Sequence, residues 1–256
     1  MRAPGNLTVV GLGPGDPQWL TPAASAALVA AQDLVGYHAY LDRVPAMSGQ
    51  QRHGFDNRSE SDRARLALDL ASQGRRVAVV SGGDPGVFAM AAAVFEAVDA
   101  GPLAWRALDI RVEPGVTAML AAAARVGAPL GNDFCAISLS DNLKPRAVVE
   151  QRLRAALASD FVIALYNPAS LARPGQLGAA LRIAAEVRGP ETPVIFAHAV
   201  GRPDERVAVE CLAKAQSMAA DMATLVVIGA SATRSIDRGS DAIPFVYTPR
   251  SIRARC

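Results

Sequence analysis

Cysteine is scarce in this chain. Cys135, Cys211 and Cys256 are spread over 256 residues, and no two have C-x-x-C spacing. That excludes the usual zinc and iron–sulfur patterns, so no metal is expected. A sparse, odd set of thiols suits a reducing cytoplasm better than a disulfide scaffold. Charge imbalance is missing too. Lys and Arg number 26 against 24 Asp and Glu, a formal net charge of +2. A balance so close to neutral argues against a nucleic-acid protein held by bulk charge, but leaves room for local arginines facing an acidic small molecule. The apolar stretches are too short, or too broken by glycine, to span a bilayer, so no membrane partner is expected. Met1–Asn6 leads straight towards a strand with no secretory pattern. Sequence repeats and low-complexity tracts are absent as well.

What is present is ample core material. The chain is 51% hydrophobic and 20% charged, enough for one or two domains. Apolar runs alternate with helical patterns. Leu7–Leu12, Leu34–Val35, Val77–Val80 and Ile110–Val112 read as strands. Thr21–Ala31, Ser59–Gln73, Gly86–Val98 and Thr117–Arg125 read as helices between and after them, with Ser59 as a cap and Gly74 as a stop. Gly, Pro, Gly and Asn cluster in 127–133, and the domain junction is placed there. Phe134–Leu139, Phe161–Tyr166, Val194–Ala197 and Thr224–Ile228 then read as a second strand set. Helices are expected near Ala147–Leu157, Gln176–Val187 and Leu212–Met218. The expectation is two α/β domains, 1–128 and 129–256, each with its own sheet.

In open α/β sheets, ligands sit beyond the carboxyl ends of strands. The residues just after each apolar run therefore carry the information. Gly11-Leu12-Gly13-Pro14-Gly15-Asp16-Pro17 resembles a G-x-G-x-x-G dinucleotide loop, but the match fails in detail. Asp16 stands where that motif wants Gly or Ala, and would repel phosphate. Pro14 and Pro17 remove amide donors. The loop Ser81-Gly82-Gly83-Asp84-Pro85-Gly86-Val87-Phe88 carries two glycines that let a ligand approach the backbone. Asp84 reads either as a ligand acceptor or as the N-cap of the next helix. Thr117, in Glu113-Pro114-Gly115-Val116-Thr117-Ala118, reads as a cap or a ligand contact. Tyr166-Asn167-Pro168 and His198-Ala199-Val200-Gly201-Arg202 end strands of the second domain, and Thr224-Leu225 opens one. His198 alone reads as a packed or surface residue rather than a catalyst.

Taken in order, these loops resemble the tetrapyrrole methyltransferase family of cobalamin biosynthesis. Its pattern of G-x-G-P-G-D/S, L-T, G-G-D-P, P-G-V/I-T/S-A and T-P-V…G-R is met here at Gly11–Pro17, Leu20-Thr21, Gly82–Pro85, Pro114–Ala118, and Thr192-Pro193-Val194 with Gly201-Arg202. The likeness spans nearly the whole chain. Four further stretches are similar to the branch that methylates C17 of the macrocycle and takes part in contracting the ring to the corrin skeleton. These are Gly36-Tyr37-His38-Ala39-Tyr40, Asp133–Asp141, Tyr166-Asn167-Pro168, and Asp221-Met222 before Thr224-Leu225.

The resemblance implies two α/β domains with S-adenosyl-L-methionine in the cleft between them, S-adenosyl-L-homocysteine as the spent cofactor, and a homodimer. It implies cofactor contacts at Pro14, Gly82, Gly83, Asp84, Val87 and Phe88, then at Thr117 and Ala118. From the second domain it implies Tyr166, Asn167, Ala199, Val200, Thr224 and Leu225. Methyl transfer is an in-line displacement for which position and a dry cleft matter most. If a base is needed, His38, His53, Glu60 and Asp84 are the candidates. A tetrapyrrole carrying acetate and propionate chains should meet cations, with Arg43, Arg52, Arg58, Lys144, Arg146 and Arg202 as candidates, each against the alternative of a solvated surface charge. Rival readings are methylation at another tetrapyrrole position, an NAD(P)-dependent oxidoreductase, and a cofactor-binding regulatory module.

Overall fold

The computed structural model describes residues 5–170, 173–239 and 242–251, so Cys256 lies outside the described residues. The chain forms two compact units, 1–117 and 118–256. Among the described residues no helix is long and apolar enough to cross a membrane.

The first unit runs β1 (Asn6–Gly11), α1 (Pro22–Ala30), β2 (Asp33–Tyr37), α2 (His38–Leu41), β3 (Gln51–Phe55), α3 (Glu60–Ser72), β4 (Arg76–Ser81), α4 (Met90–Ala100) and β5 (Asp109–Glu113). The sheet order is β3-β2-β4-β1-β5, with every pair parallel. Strand residues alternate between two apolar layers. Leu7, Val9, Val35, Val77 and Val79 pack with Leu68 of α3 and Val94 of α4. Val10, Leu34, Ala78 and Val80 pack with Ala24 and Leu28 of α1 and Leu41 of α2. Both faces are covered, which is why these strands read as unbroken apolar runs.

Neighbouring strands β1 and β4 thus send their following helices to opposite faces of the sheet. The carboxyl ends of such a strand pair are the place where doubly wound sheets bind ligands. The opposite edge is closed by an ionic cluster. Asp33, fully buried at the start of β2, meets Arg75 and lies 2.9 Å from Nε2 of His53. Burial pushes the Asp33 carboxyl up, but the bonds and charges of Arg75 and His53 outweigh it and hold the group below its ordinary value.

The second unit runs α5 (Ala118–Val126), β6 (Gly127–Ala128), β7 (Phe134–Ser138), α6 (Arg146–Ala158), β8 (Val162–Tyr166), α7 (Gln176–Ala185), β9 (Pro193–His198), β10 (Arg206–Cys211), α8 (Leu212–Ala215), β11 (Thr224–Ile228), β12 (Arg234–Ile236) and β13 (Phe245–Tyr247). Its main sheet has the order β10-β9-β11-β8-β7, in which β7 and β8 are parallel and the other pairs antiparallel. The core joins Leu153 and Leu157 of α6 and Leu181 of α7 to Ile163, Leu165, Phe196 and Val226 of the sheet. Each fully buried leucine contributes about 2 kcal/mol.

Two expectations need correction. The division falls after Thr117 rather than at 127–133. The reason is β6, the Gly127-Ala128 pair, which hydrogen-bonds as a parallel strand to Val246 and Tyr247 of β13. The glycine–proline cluster is therefore a turn inside the second unit, and α5 belongs to that unit. Second, α4 begins at Met90, not Gly86. Phe88 has φ +53, a left-handed conformation that a right-handed helix cannot contain, so Asp84 does not cap α4.

Candidate active site

In the first unit three backbones converge at the carboxyl edge. Beyond β1, the Leu12 N–H donates to the Ser81 carbonyl at 2.9 Å. Gly13 and Gly83 then form a two-way bridge, N to O at 3.1 and 2.9 Å, with φ of +67 and +64. Positive φ at both positions explains glycine there. Gly115, just past β5, completes the junction. A Cβ on Gly115 would lie 2.3 Å from the Gly83 carbonyl oxygen and 3.0 Å from Gly11 Cα. Asp84 locks the corner: its Oδ1 accepts the Gly86 N–H at 2.8 Å and its Oδ2 the Gly115 N–H at 3.1 Å. Pro14 is buried next to the bridge and Val87 is half-buried.

No helix opens at this glycine loop. Asp16 instead accepts the Gln18 N–H at 2.8 Å and starts a short 3-10 turn, Pro17–Trp19. α1 starts later, capped by Thr21 with Pro22 as its first residue. The helix N-terminus that cradles a pyrophosphate in a dinucleotide site is missing. The Gly13 amide is also already paired.

One glycine has a different reason from the expected one. A Cβ on Gly82 would meet the Tyr40 ring at 2.7 Å. Gly82 therefore has an aromatic ring over its Cα on that side. Tyr40 in turn stands edge-on to Tyr37, with ring centres 5.4 Å apart.

In the second unit the ends of β7, β8 and β9 and the start of β11 share one edge. Tyr166 accepts the Met119 N–H at its hydroxyl, 3.1 Å, fixing the first turn of α5 that Ala118 opens. Asn167 donates its side-chain amide to Ser138 Oγ at 2.8 Å. Ala199 donates its N–H to the Ala223 carbonyl at 2.9 Å. Ala199, Val200, Thr224 and Leu225 are all buried. Glu205 braces the loop after β9: it takes a bidentate pair from Arg125 at 2.6 and 3.0 Å and the Gly201 N–H at 2.6 Å. The Arg125 bonds lower the Glu205 carboxyl most, burial opposes them, and the Gly201 amide lowers it further.

Among the described residues, four non-glycine ones have positive φ: Phe88 (+53), Asp160 (+59), Asn167 (+54) and Ala199 (+48). Three of them, all but Asp160, are cofactor contacts expected from the sequence. Left-handed backbone at such residues costs about 1–2 kcal/mol each, and such strain gathers at functional sites.

The candidate bases and cations fare unevenly. His53 is tied to Asp33 at the amino edge of its sheet, so it is structural rather than a base. Glu60 is the first residue of α3 and pairs at 3.2 Å with Arg63, whose side chain is buried; its carboxylate neutralises that guanidinium. His38 is exposed at the start of α2, at the carboxyl edge, with its ring against Gly54. Arg43 donates from Nη2 to the carbonyls of Leu12 and Gly13 at 3.0 and 2.9 Å, so it buttresses the opening loop. Arg52 donates to the carbonyls of Leu41, Val44 and Pro45, closing the end of α2. Both guanidiniums thus spend donors on backbone carbonyls of their own unit. Arg58 and Arg202 are exposed in loops at carboxyl edges. Arg146 forms an exposed i,i+4 pair with Glu150 at 2.7 Å, a weak tie. Burial and the charge of Arg152 lower the Lys144 ammonium.

The sequence did not reveal Gly11 and Gly115 as packing partners, Tyr40 as the cover of Gly82, or Glu205 as a brace. The P-G-V signal contains Gly115, but nothing in it says what Gly115 touches.

Two α/β units with strand-end loops of small residues and strained backbone, and no helix opening at the first glycine loop, define an α/β ligand-binding scaffold without the dinucleotide cradle. Residues 6–216 match the family of tetrapyrrole (corrin/porphyrin) methylases, and the chain belongs to that family. It is 56% identical over 247 residues, 96% of both chains, to a precorrin-3B C(17)-methyltransferase from Sinorhizobium sp. Among solved structures, it resembles the methyltransferase CobJ with a TM-score of 0.89 at 51% identity, covering 96% of this chain and 100% of the other. The fold also matches uroporphyrin-III C-methyltransferase from Thermus thermophilus, solved with S-adenosylhomocysteine. There the TM-score is 0.67 at 23% identity, covering 88% and 97% of the two chains.

Proposed function

We propose that this protein transfers a methyl group from S-adenosyl-L-methionine to C17 of precorrin-3B and takes part in ring contraction to precorrin-4 in cobalamin biosynthesis. The observation that carries the reading is the likeness, at 56% identity over nearly the full length of both chains, to a relative bearing that name. The chemistry of the loops fits the cofactor. Small residues, backbone groups and the Thr117 and Thr224 hydroxyls suit a zwitterionic amino-acid nucleoside, whereas the loop after β1 offers no pyrophosphate cradle.

In this reading Pro14, Gly83, Asp84, Val87, Phe88 and Thr117 contribute to the cofactor site from the first unit. Ala118, Tyr166, Asn167, Ala199, Val200, Thr224 and Leu225 contribute from the second. Gly82 takes a supporting place under Tyr40. The bound cofactor supplies an electrophilic sulfonium methyl. The residues of this chain hold position and exclude water, which accounts for a site without a catalytic dyad. His38 is the remaining candidate to take a proton from the macrocycle. Arg58, Lys144, Arg146 and Arg202 are the proposed contacts for its carboxylates, the arginines through bidentate pairs. The enzyme is proposed to work in the cytoplasm as a homodimer.

Calorimetric titration with S-adenosylhomocysteine and with NADPH tests the class; heat only from NADPH would refute it. Incubation with precorrin-3B and the methyl donor tests the acceptor. A tetrapyrrole of unchanged mass would sink the C17 assignment. A parallel incubation with the cobalt-bound substrate separates the two forms of the pathway.

A further inference from the structure

His198 is the last residue of β9 and lies in register with Thr224, the first residue of β11. Its Nδ1 is 3.2 Å from Asp221 Oδ1 and 3.4 Å from Thr224 Oγ1. Its Nε2 is 3.3 Å from Oδ2 of Asp204, in the loop that follows β9. Asp221 also accepts the Thr224 hydroxyl at 2.8 Å and the Ala223 N–H at 3.0 Å. The His198 side chain is only 16% exposed. One imidazole therefore spans two loops: the 199–204 loop on its Nε2 side and the 221–224 turn on its Nδ1 side.

Ala199 follows directly and is held at φ +48. An alanine leaves that conformation unless its surroundings fix it. The Ala199 N–H to Ala223 carbonyl bond is one restraint; the ring of His198 is the side chain that ties the same two segments together. Because the Thr224 proton goes to Asp221, that hydroxyl is left to accept from its neighbours, and its rotamer is set.

We propose that His198 is a positioning residue for cofactor binding, a clip that holds Ala199-Val200 against Thr224-Leu225. This rests on the reading that these four residues contact S-adenosylmethionine. The role is not that of a proton-transfer catalyst, since both ring nitrogens face carboxylates of the protein.

The test uses the full-length protein and two variants, His198→Ala and His198→Asn. Asn retains a donor near Asp221 but is too short for Asp204. Calorimetry with S-adenosylhomocysteine should show Kd raised about tenfold for Ala and about threefold for Asn. KM for S-adenosylmethionine should rise in step, with kcat at saturating cofactor retained and KM for the tetrapyrrole unmoved. A Kd within twofold of wild type for His198→Ala, or a fall in kcat at unchanged KM, overturns the proposal. If His198→Ala fails to fold, Asp204→Ala removes the Nε2 arm of the clip alone, and an unchanged Kd there overturns it equally. Wild-type protein that binds no S-adenosylhomocysteine would instead refute the cofactor reading, and this proposal with it.

Discussion

Replacing Gly115 by alanine asks whether the three-glycine junction exists for packing or for ligand access. The added methyl would sit 2.3 Å from the Gly83 carbonyl oxygen, 3.0 Å from Gly11 Cα and 3.0 Å from the Gly11 carbonyl carbon. That is about 1 Å inside ordinary van der Waals separation. All three obstacles are backbone, and β1 is hydrogen-bonded in register to both β4 and β5, so no rotamer change relieves the clash. Overpacking of a rigid region costs about 1–3 kcal/mol, and this geometry belongs at the upper end, about 3 kcal/mol. For a chain of this size that lowers Tm by roughly 6–12 °C. Gly175→Ala is the control, because nothing lies within 4 Å of the added carbon, and its Tm should move by less than about 3 °C. The assay pairs calorimetric melting with S-adenosylhomocysteine titration. If Gly115→Ala melts with wild type and loses only ligand affinity, the junction serves ligand approach and the packing account is wrong.

Other outcomes follow from single contacts. Arg43→Met removes two hydrogen bonds from the opening loop and should weaken S-adenosylhomocysteine binding about tenfold; an unchanged Kd would show that the loop holds itself. His53→Gln should reduce stability by about 1–2 kcal/mol in urea unfolding while kcat is unaffected, and a large loss of kcat would restore His53 as a base. Glu205→Gln should destabilise by about 0.5–1 kcal/mol at neutral pH, allowing for screening of a partly exposed pair. Because Arg125 lowers the Glu205 carboxyl in the fold, that contribution is present above the ordinary glutamate pKa and fades as pH falls through the depressed value. The stability gap to the variant should therefore close below about pH 4, and a gap that persists in acid contradicts the ionic account. Asp84→Ala should lower cofactor affinity through release of Gly115 while the helix content of α4 in circular dichroism stays intact, since Asp84 does not cap it.

Much of this was legible in the sequence because doubly covered parallel strands must be apolar throughout. Leu7–Leu12 and Val77–Val80 declared themselves, and the loops after them followed. Strands with exposed faces did not. Gln51–Phe55 is an edge strand of polar composition that owes its existence to pairing with β2, a cause invisible to periodicity. Arg206–Cys211 alternates weakly and depends on its hairpin with β9. Gly127-Ala128 looked like a linker because a two-residue strand has no period to detect. The arginines illustrate a second limit. Composition announces a guanidinium, but whether it meets a substrate carboxylate or the carbonyls of Leu41, Val44 and Pro45, as Arg52 does, depends on where the chain folds back.

α5 is anchored at both ends. Its first turn is bonded to the Tyr166 hydroxyl through Met119, and its last turn to Glu205 through Arg125. A nine-residue helix is a stiff rod roughly 13 Å long, so it works as a mechanical tie between the end of β8 and the loop after β9. A disturbance at Tyr166 should then be felt at Gly201 without any side chain in between having to change partners. Hydrogen exchange would register this as amides of the 199–202 loop speeding up in Tyr166→Phe, a substitution that leaves the loop itself untouched.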